Sequence, residues 1–114
     1  MDAEKYYTIY SMLISEVKAA LPETQIMILE PFVLKGSGTE EDWEYFRTET
    51  DKRAEKAKKI AEKFNLKFVP LQSKFDDAER LADSSYWLWD GVHPNYPGHE
   101  IIKREWIKAF KEIV

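Results

Sequence analysis

Apolar residues near the N-terminus recur at helical spacing: Tyr6, Ile9, Tyr10, Leu13, Val17 and Leu21 fall on one stripe. This pattern predicts a helix from Ala3 to Leu21, closed by Pro22. The rhythm then changes. Gln25-Ile26-Met27-Ile28-Leu29-Glu30 holds four consecutive apolar residues without alternation, as expected of a strand covered on both faces in a parallel sheet. Pro31 ends it, and Phe32 to Gly38 reads as a loop that Gly36 and Gly38 keep flexible. Thr39 is a candidate N-cap, with Asp42 in the place of a capping-box partner. The helix that follows is expected to bury Trp43, Phe46, Ala54, Ala57, Ala61 and Phe64, and Asn65 suits a left-handed C-terminal cap. Leu66 to Leu71 is a second short strand; Pro70 makes it an edge strand or a strand end. Ser73, with Asp76 three residues on, predicts a short helix through about Ala82. Ser84 to Trp89 reads as irregular and aromatic. A final helix from about Pro97 to Ile113 is expected to bury Ile102, Trp106, Phe110 and Ile113.

Helices alternate with strands, so the fold class is α/β, with crossover helices linking two parallel strands. Two strands are few for such a sheet. Residues 1–114 therefore read as a single partial domain, the half of something larger. Composition excludes several function classes. The chain is 44% apolar and 33% charged with a net charge of −4, an ordinary globular balance. Lys56, Lys58, Lys59 and Lys63 are interleaved with Glu55 and Glu62, which predicts a solvated helix face and no nucleic-acid partner. There is no cysteine, so disulfides, thiolate nucleophiles and cysteine metal sites are excluded. No apolar run approaches the ~20 residues of a membrane span, and the acidic start Met1-Asp2-Ala3-Glu4 does not resemble a signal peptide. The cytoplasm is the expected compartment.

The chemistry gathers in Asp90-Gly91-Val92-His93-Pro94. A carboxylate three residues before an imidazole in a loop can fix the ring tautomer and stabilise its protonated form, leaving the other ring nitrogen to take a proton from a hydroxyl. Gly91 permits a tight turn and Pro94 stiffens the exit. By itself, Asp-x-x-His equally describes a loop histidine with a local carboxylate partner. Asp90, His93 and His99 make a poor metal set, three ligands without a fourth, so neither metal nor cofactor is expected. Trp87 and Trp89 are either pocket lining or packing beneath the loop. Phe32 and Val33, just beyond the first strand, are candidate substrate-binding residues together with Trp89.

The string Trp89-Asp90-Gly91-Val92-His93-Pro94-Asn95-Tyr96-Pro97-Gly98-His99, followed by a helix containing Trp106, closely resembles the last block of the SGNH hydrolases, the GDSL-type esterases and lipases. That block runs Asp-Gly-x-His-Pro, then Gly-His and a helix containing a tryptophan. Ile26 to Phe32 resembles the family's fourth strand and its Pro-Phe turn, and Lys67 to Leu71 its fifth strand. The resemblance implies a partial flavodoxin-like three-layer fold, the C-terminal half of the family domain. It further implies that Asp90 orients His93, which serves as general base and then general acid for a serine nucleophile attacking an acyl ester, whether of an acetylated sugar or of a lipid. His99 takes the family's Gly-His position, a structural one.

The family's serine lies in a Gly-Asp-Ser block, and its oxyanion donors are a glycine and the asparagine of a Gly-x-Asn-Asp block. Neither block occurs among these residues. Ser37 lies between two glycines but in no such context, and is read as loop chemistry. The isolated chain is thus expected to be inactive. The alternative is a non-catalytic remnant or a binding and oligomerisation module. An apolar Ile26–Leu29 strand without a neighbour on one edge predicts a homodimer or larger assembly through that edge.

Overall fold

The computed structural model describes all 114 residues. The order is α1 (Ala3–Ala20), β1 (Met27–Leu29), α2 (Trp43–Phe64), β2 (Lys67–Val69), α3 (Gln72–Glu79), α4 (Ser84–Trp87) and α5 (Tyr96–Ile113). β1 and β2 pair in parallel, with Met27, Ile28 and Leu29 opposite Lys67, Phe68 and Val69. α2 is the crossover between them. The Glu30 N–H extends the ladder by donating to the Val69 carbonyl at 3.0 Å. Pro70 lies just past the end of β2, where no ladder bond is asked of it.

Side chains alternate across the small sheet. Ile28 packs with Ile14, Ala57, Ile60 and Ala61, and Phe68 adds to that cluster. Met27 and Leu29 lie against a second cluster, built on Leu34, Val69, Leu71, Phe75, Leu88 and Ala109. Each strand is thus covered on both faces, which is why Ile26–Leu29 is continuously apolar.

Helix ends follow local chemistry in part. Asp2 caps α1 by accepting from the Lys5 N–H at 2.8 Å. Asn65 ends α2 in the left-handed region at φ 54°, its N–H donating to the Ala61 and Glu62 carbonyls, as its side chain predicts. Elsewhere the expected caps are replaced. α2 begins at Trp43 with Asp42 as a cap that forms no side-chain bond, and Thr39 is buried in the preceding loop. α3 begins at Gln72, not after Ser73, because the Glu30 carboxylate reaches across from the end of β1. It accepts from the Leu71 and Gln72 N–H groups at 2.9 and 2.8 Å. The Ser84–Trp87 stretch forms one helical turn, with Asp83 accepting from the Ser85 N–H.

The buried helix faces are narrower than their apolar stripes. α1 leans chiefly on α2 and meets the sheet cluster through Ile14; Ile9, Leu13 and Leu21 stay exposed, while Ser11 is buried. On α2, Phe46 is exposed and Ile60, absent from the expected face, is fully buried. On α5, Ala109 is buried whereas Trp106 and Phe110, both expected inside, are each 40% exposed and stack on one another at 5.2 Å. A sheet of two strands offers too little surface to cover stripes of this width.

Candidate active site

The site is a loop on a built support, beyond the carboxyl ends of the two parallel strands, where open α/β sheets place their sites. Leu88 and Pro94 form an antiparallel bridge that closes the loop at its base. The Trp89 N–H donates to the His93 carbonyl at 3.0 Å, and the Gly91 N–H donates to the Leu88 carbonyl at 3.0 Å. Gly91 turns the chain at φ 94°, a conformation that disfavours a β-carbon.

Within this loop the Asp90 carboxylate is fully engaged. Oδ1 accepts from the Val92 and His93 backbone N–H groups at 2.9 and 2.8 Å. Oδ2 lies 2.6 Å from His93 Nδ1. The His93 backbone bond is the largest influence on the Asp90 carboxyl; desolvation opposes it, and the His93 ring and the Val92 amide reinforce it. The result is a pKa lowered from 3.8 to about 2. A carboxylate only accepts, so Nδ1 carries the proton and Nε2 is the ring's acceptor. The Asp90 side chain is 14% exposed and that of His93 is 66% exposed. An oriented imidazole with an outward, unpaired Nε2 is a competent general base for a hydroxyl brought to it.

The loop after β1 holds the Asp90–Gly91 backbone from below. The Leu34 N–H donates to the Gly91 carbonyl and the Gly38 N–H to the Asp90 carbonyl, each at 2.9 Å. Thr39 ties this support together: its hydroxyl donates to the Leu34 carbonyl at 2.8 Å and accepts from the Gly36 N–H at 2.9 Å. The Gln72 side chain brackets Val33, accepting from its N–H and donating to its carbonyl at 2.9 Å each. The Ser84 hydroxyl donates to the Lys35 carbonyl at 2.7 Å. Thr39, Gln72 and Ser84 therefore shape the site without carrying its chemistry. Their only signal in the sequence is a small polar or amide residue in an apolar setting, which does not reveal that Gln72 and Ser84 have partners 39 and 49 residues away.

Of the residues singled out by sequence, Asp90, His93 and Trp89 come together: the Trp89 indole stacks on the His93 ring at 5.7 Å with 24° between planes. Phe32 and Val33 turn into the core, on the loop whose Leu34 N–H holds the Gly91 carbonyl. Phe32 stacks on the buried Phe75 at 4.4 Å, and Val33 is 2% exposed. Trp87 packs against the core and donates its indole N–H to the Ala82 carbonyl at 3.2 Å. Asp90, His93 and His99 form no group able to hold a metal ion. Gly98 lets the first turn of α5 press on the Trp87 carbonyl, which a β-carbon would strike.

Residues 1–101 match the GDSL-like lipase/acylhydrolase family. The chain is 29% identical over 83 residues to an acetylxylan esterase of Geobacillus stearothermophilus, covering 73% of this chain and 36% of that protein. A solved GDSL-like lipase structure from Parabacteroides merdae superposes with a TM-score of 0.88 at 39% identity, covering 95% of this chain and 49% of that one. The Geobacillus esterase structure superposes with a TM-score of 0.78 at 28% identity, covering 94% and 46%. This chain therefore spans about half the length of the solved structures it matches. Structures of catalytic mutants of that esterase replace a serine, an aspartate and a histidine, the last two three positions apart. Another of its mutants replaces the tryptophan directly before that aspartate. On the match across residues 1–101, the chain belongs to the GDSL-like lipase/acylhydrolase family.

Proposed function

We propose that this chain is a partial domain, the C-terminal half of a serine ester hydrolase, and that it supplies the acid–base pair. The carrying observation is the contact between Asp90 Oδ2 and His93 Nδ1 with Nε2 left outward. His93 takes the proton of a serine hydroxyl as that oxygen attacks the ester carbonyl, then returns it to the leaving alcohol. Asp90 holds the tautomer and stabilises the imidazolium between those steps. The serine and the oxyanion donors come from a segment outside these residues, since neither a Gly-Asp-Ser nor a Gly-x-Asn-Asp block is present. The spacing in the Geobacillus esterase supports this reading. Its aspartate and histidine are separated as Asp90 and His93 are, and its serine precedes the aspartate by more residues than precede Asp90 here. Acetylated carbohydrate is the favoured substrate class, from the likeness to that acetylxylan esterase. Phe32 and Val33 support the site from the core; Trp89 is the aromatic beside the reacting ring.

A chimera tests the proposal. These residues replace the matching half of the Parabacteroides protein, and p-nitrophenyl acetate hydrolysis is followed. We expect turnover that His93→Ala abolishes, and no His93-dependent turnover from the isolated chain, which lacks the terms that dominate acyl transfer. A folded chimera whose rate ignores His93, or an isolated chain that turns over through it, would sink the reading.

One observation favours a second role for the isolated chain. β1 pairs on one side only, and Ile9, Leu13, Trp106 and Phe110 are exposed on the helices. Unpaired strand edges and apolar faces recruit partners. The expected result is a homodimer through the Met27–Leu29 edge in light scattering after size exclusion; a monomer at tens of micromolar would refute it.

A further inference from the structure

We propose that Trp89 is a positioning residue for His93: its indole holds the imidazole in the plane that keeps Nδ1 against Asp90 and Nε2 free. The sequence alone suggests a substrate-binding role for this tryptophan; the geometry points to a different one. The His93 side chain is two-thirds exposed, and two contacts define its ring. One is the 2.6 Å approach of Nδ1 to Asp90. That bond fixes a direction, but it leaves the ring free to tilt about the bond. The other is the stack on Trp89, 5.7 Å between centroids and 24° between planes, which removes the tilt.

Trp89 is itself anchored for this task. Its backbone N–H donates to the His93 carbonyl, so the two residues face each other across the closed base of the loop. Its neighbour Leu88 is fully buried and bridged to Pro94. Trp89 as a whole is 58% exposed, and it belongs to neither core cluster. A purely structural tryptophan would be expected to bury its ring; this one spends its inner face on His93. The adjoining segments contribute Lys35, Glu40, His99 and Glu100, and the ring's ion-pair partner is Asp90 alone. Fixing the imidazole therefore falls to Asp90 and Trp89 together.

The inference uses the esterase reading for its purpose, but the first measurement does not depend on it. Long-range nitrogen–proton correlation spectra of the full 114-residue chain, in mildly alkaline buffer, report the His93 tautomer and the exchange of its Nδ1 proton with water. The expected result is an Nδ1–H tautomer in the unaltered chain. In Trp89→Leu the Nδ1–H tautomer set by Asp90 stays, but the loosened ring lets the Nδ1 proton exchange roughly two- to tenfold faster, the span that a stacked aromatic pair supports. Trp89→Phe, which keeps a stacking face, restores the slower exchange. The Val92 and His93 amide signals, which report the bonds to Asp90 Oδ1, stay in place throughout. An unchanged exchange rate in Trp89→Leu would overturn the proposal. So would a Trp89→Phe chain that behaves like Trp89→Leu with displaced amide signals, since the loop would then have rearranged.

The chimera gives the second arm. Positioning predicts that Trp89→Leu lowers kcat two- to tenfold at constant KM, whereas a substrate platform would raise KM at constant kcat. The latter result overturns the proposal. A chimera with no His93-dependent turnover at all, beside intact spectra, would fault the esterase reading and leave the positioning role standing.

Discussion

Gly91→Ala is expected to lower the unfolding free energy by about 2–5 kcal/mol, read from the midpoint of urea unfolding. Two independent costs combine. An L-residue in the left-handed region is disfavoured by about 1–2 kcal/mol, and Gly91 sits at φ 94°. A new methyl group in a filled space adds about 1–3 kcal/mol. Here the space is filled by backbone: a β-carbon at Gly91 would drive into the Leu34 carbonyl oxygen and lie 2.9 Å from the Thr39 hydroxyl. Neither obstacle is the end of a flexible side chain. Thr39 is held by its bonds to Leu34 and Gly36, and Leu34 is held to Gly91 itself. Relief requires the loop to lift from its support, which also separates Gly38 from the Asp90 carbonyl. An unfolding midpoint equal to that of the unaltered chain would mean that this support is softer than its geometry.

Asp90→Asn is expected to lower kcat of the active chimera by about 10⁴ with little change in KM, the size of effect seen when a catalytic imidazole is held in the wrong tautomer. The cause lies in the two backbone bonds to Oδ1. The Val92 and His93 N–H groups demand an acceptor at that position, so an asparagine places its oxygen there and its NH₂ where Oδ2 was. That NH₂ faces Nδ1 and needs an acceptor, so the ring proton moves to Nε2. His93 then presents a donor where a base is required. A loss below tenfold would show that Asp90 does not set the tautomer.

The same substitution has a stability signature in the isolated chain. Asp90 titrates lower in the folded state than in the unfolded state, from 3.8 to about 2. Its ionised form therefore contributes stability that is present above the unfolded value and lost as pH falls through about 2. The difference in urea midpoint between unaltered and Asp90→Asn chains should stay level above about pH 4 and narrow between there and pH 2. A difference that does not vary across that window would contradict the role assigned to the carboxylate.

Much of this was written locally in the chain. The stripe from Ala3, the continuous apolar run at Ile26–Leu29 and the left-handed Asn65 each depend on a few neighbouring residues, and each predicted its element. The Asp90-Gly91-Val92-His93-Pro94 loop was legible for the same reason. Its carboxylate, turn and imidazole lie within five residues, so the sequence shows Asp90 and His93 as neighbours on one short loop.

Tertiary structure decided what depends on distant partners. Glu30 displaced Ser73 as the cap of α3 because a carboxylate at the end of one strand lies beside the helix that follows the other. Thr39 left its expected cap to brace its own loop between the Leu34 carbonyl and the Gly36 N–H, because that loop has to carry the distant Asp90–Gly91 backbone through Leu34 and Gly38. Trp106 and Phe110 carry the periodicity of buried residues yet remain exposed. Periodicity records which helix face is apolar; how much of that face is covered depends on the width of the sheet beneath it. Trp89 shows the same division. Its place before Asp90 is plain in the sequence, but the face it turns to His93 exists only once Leu88 and Pro94 have closed the loop.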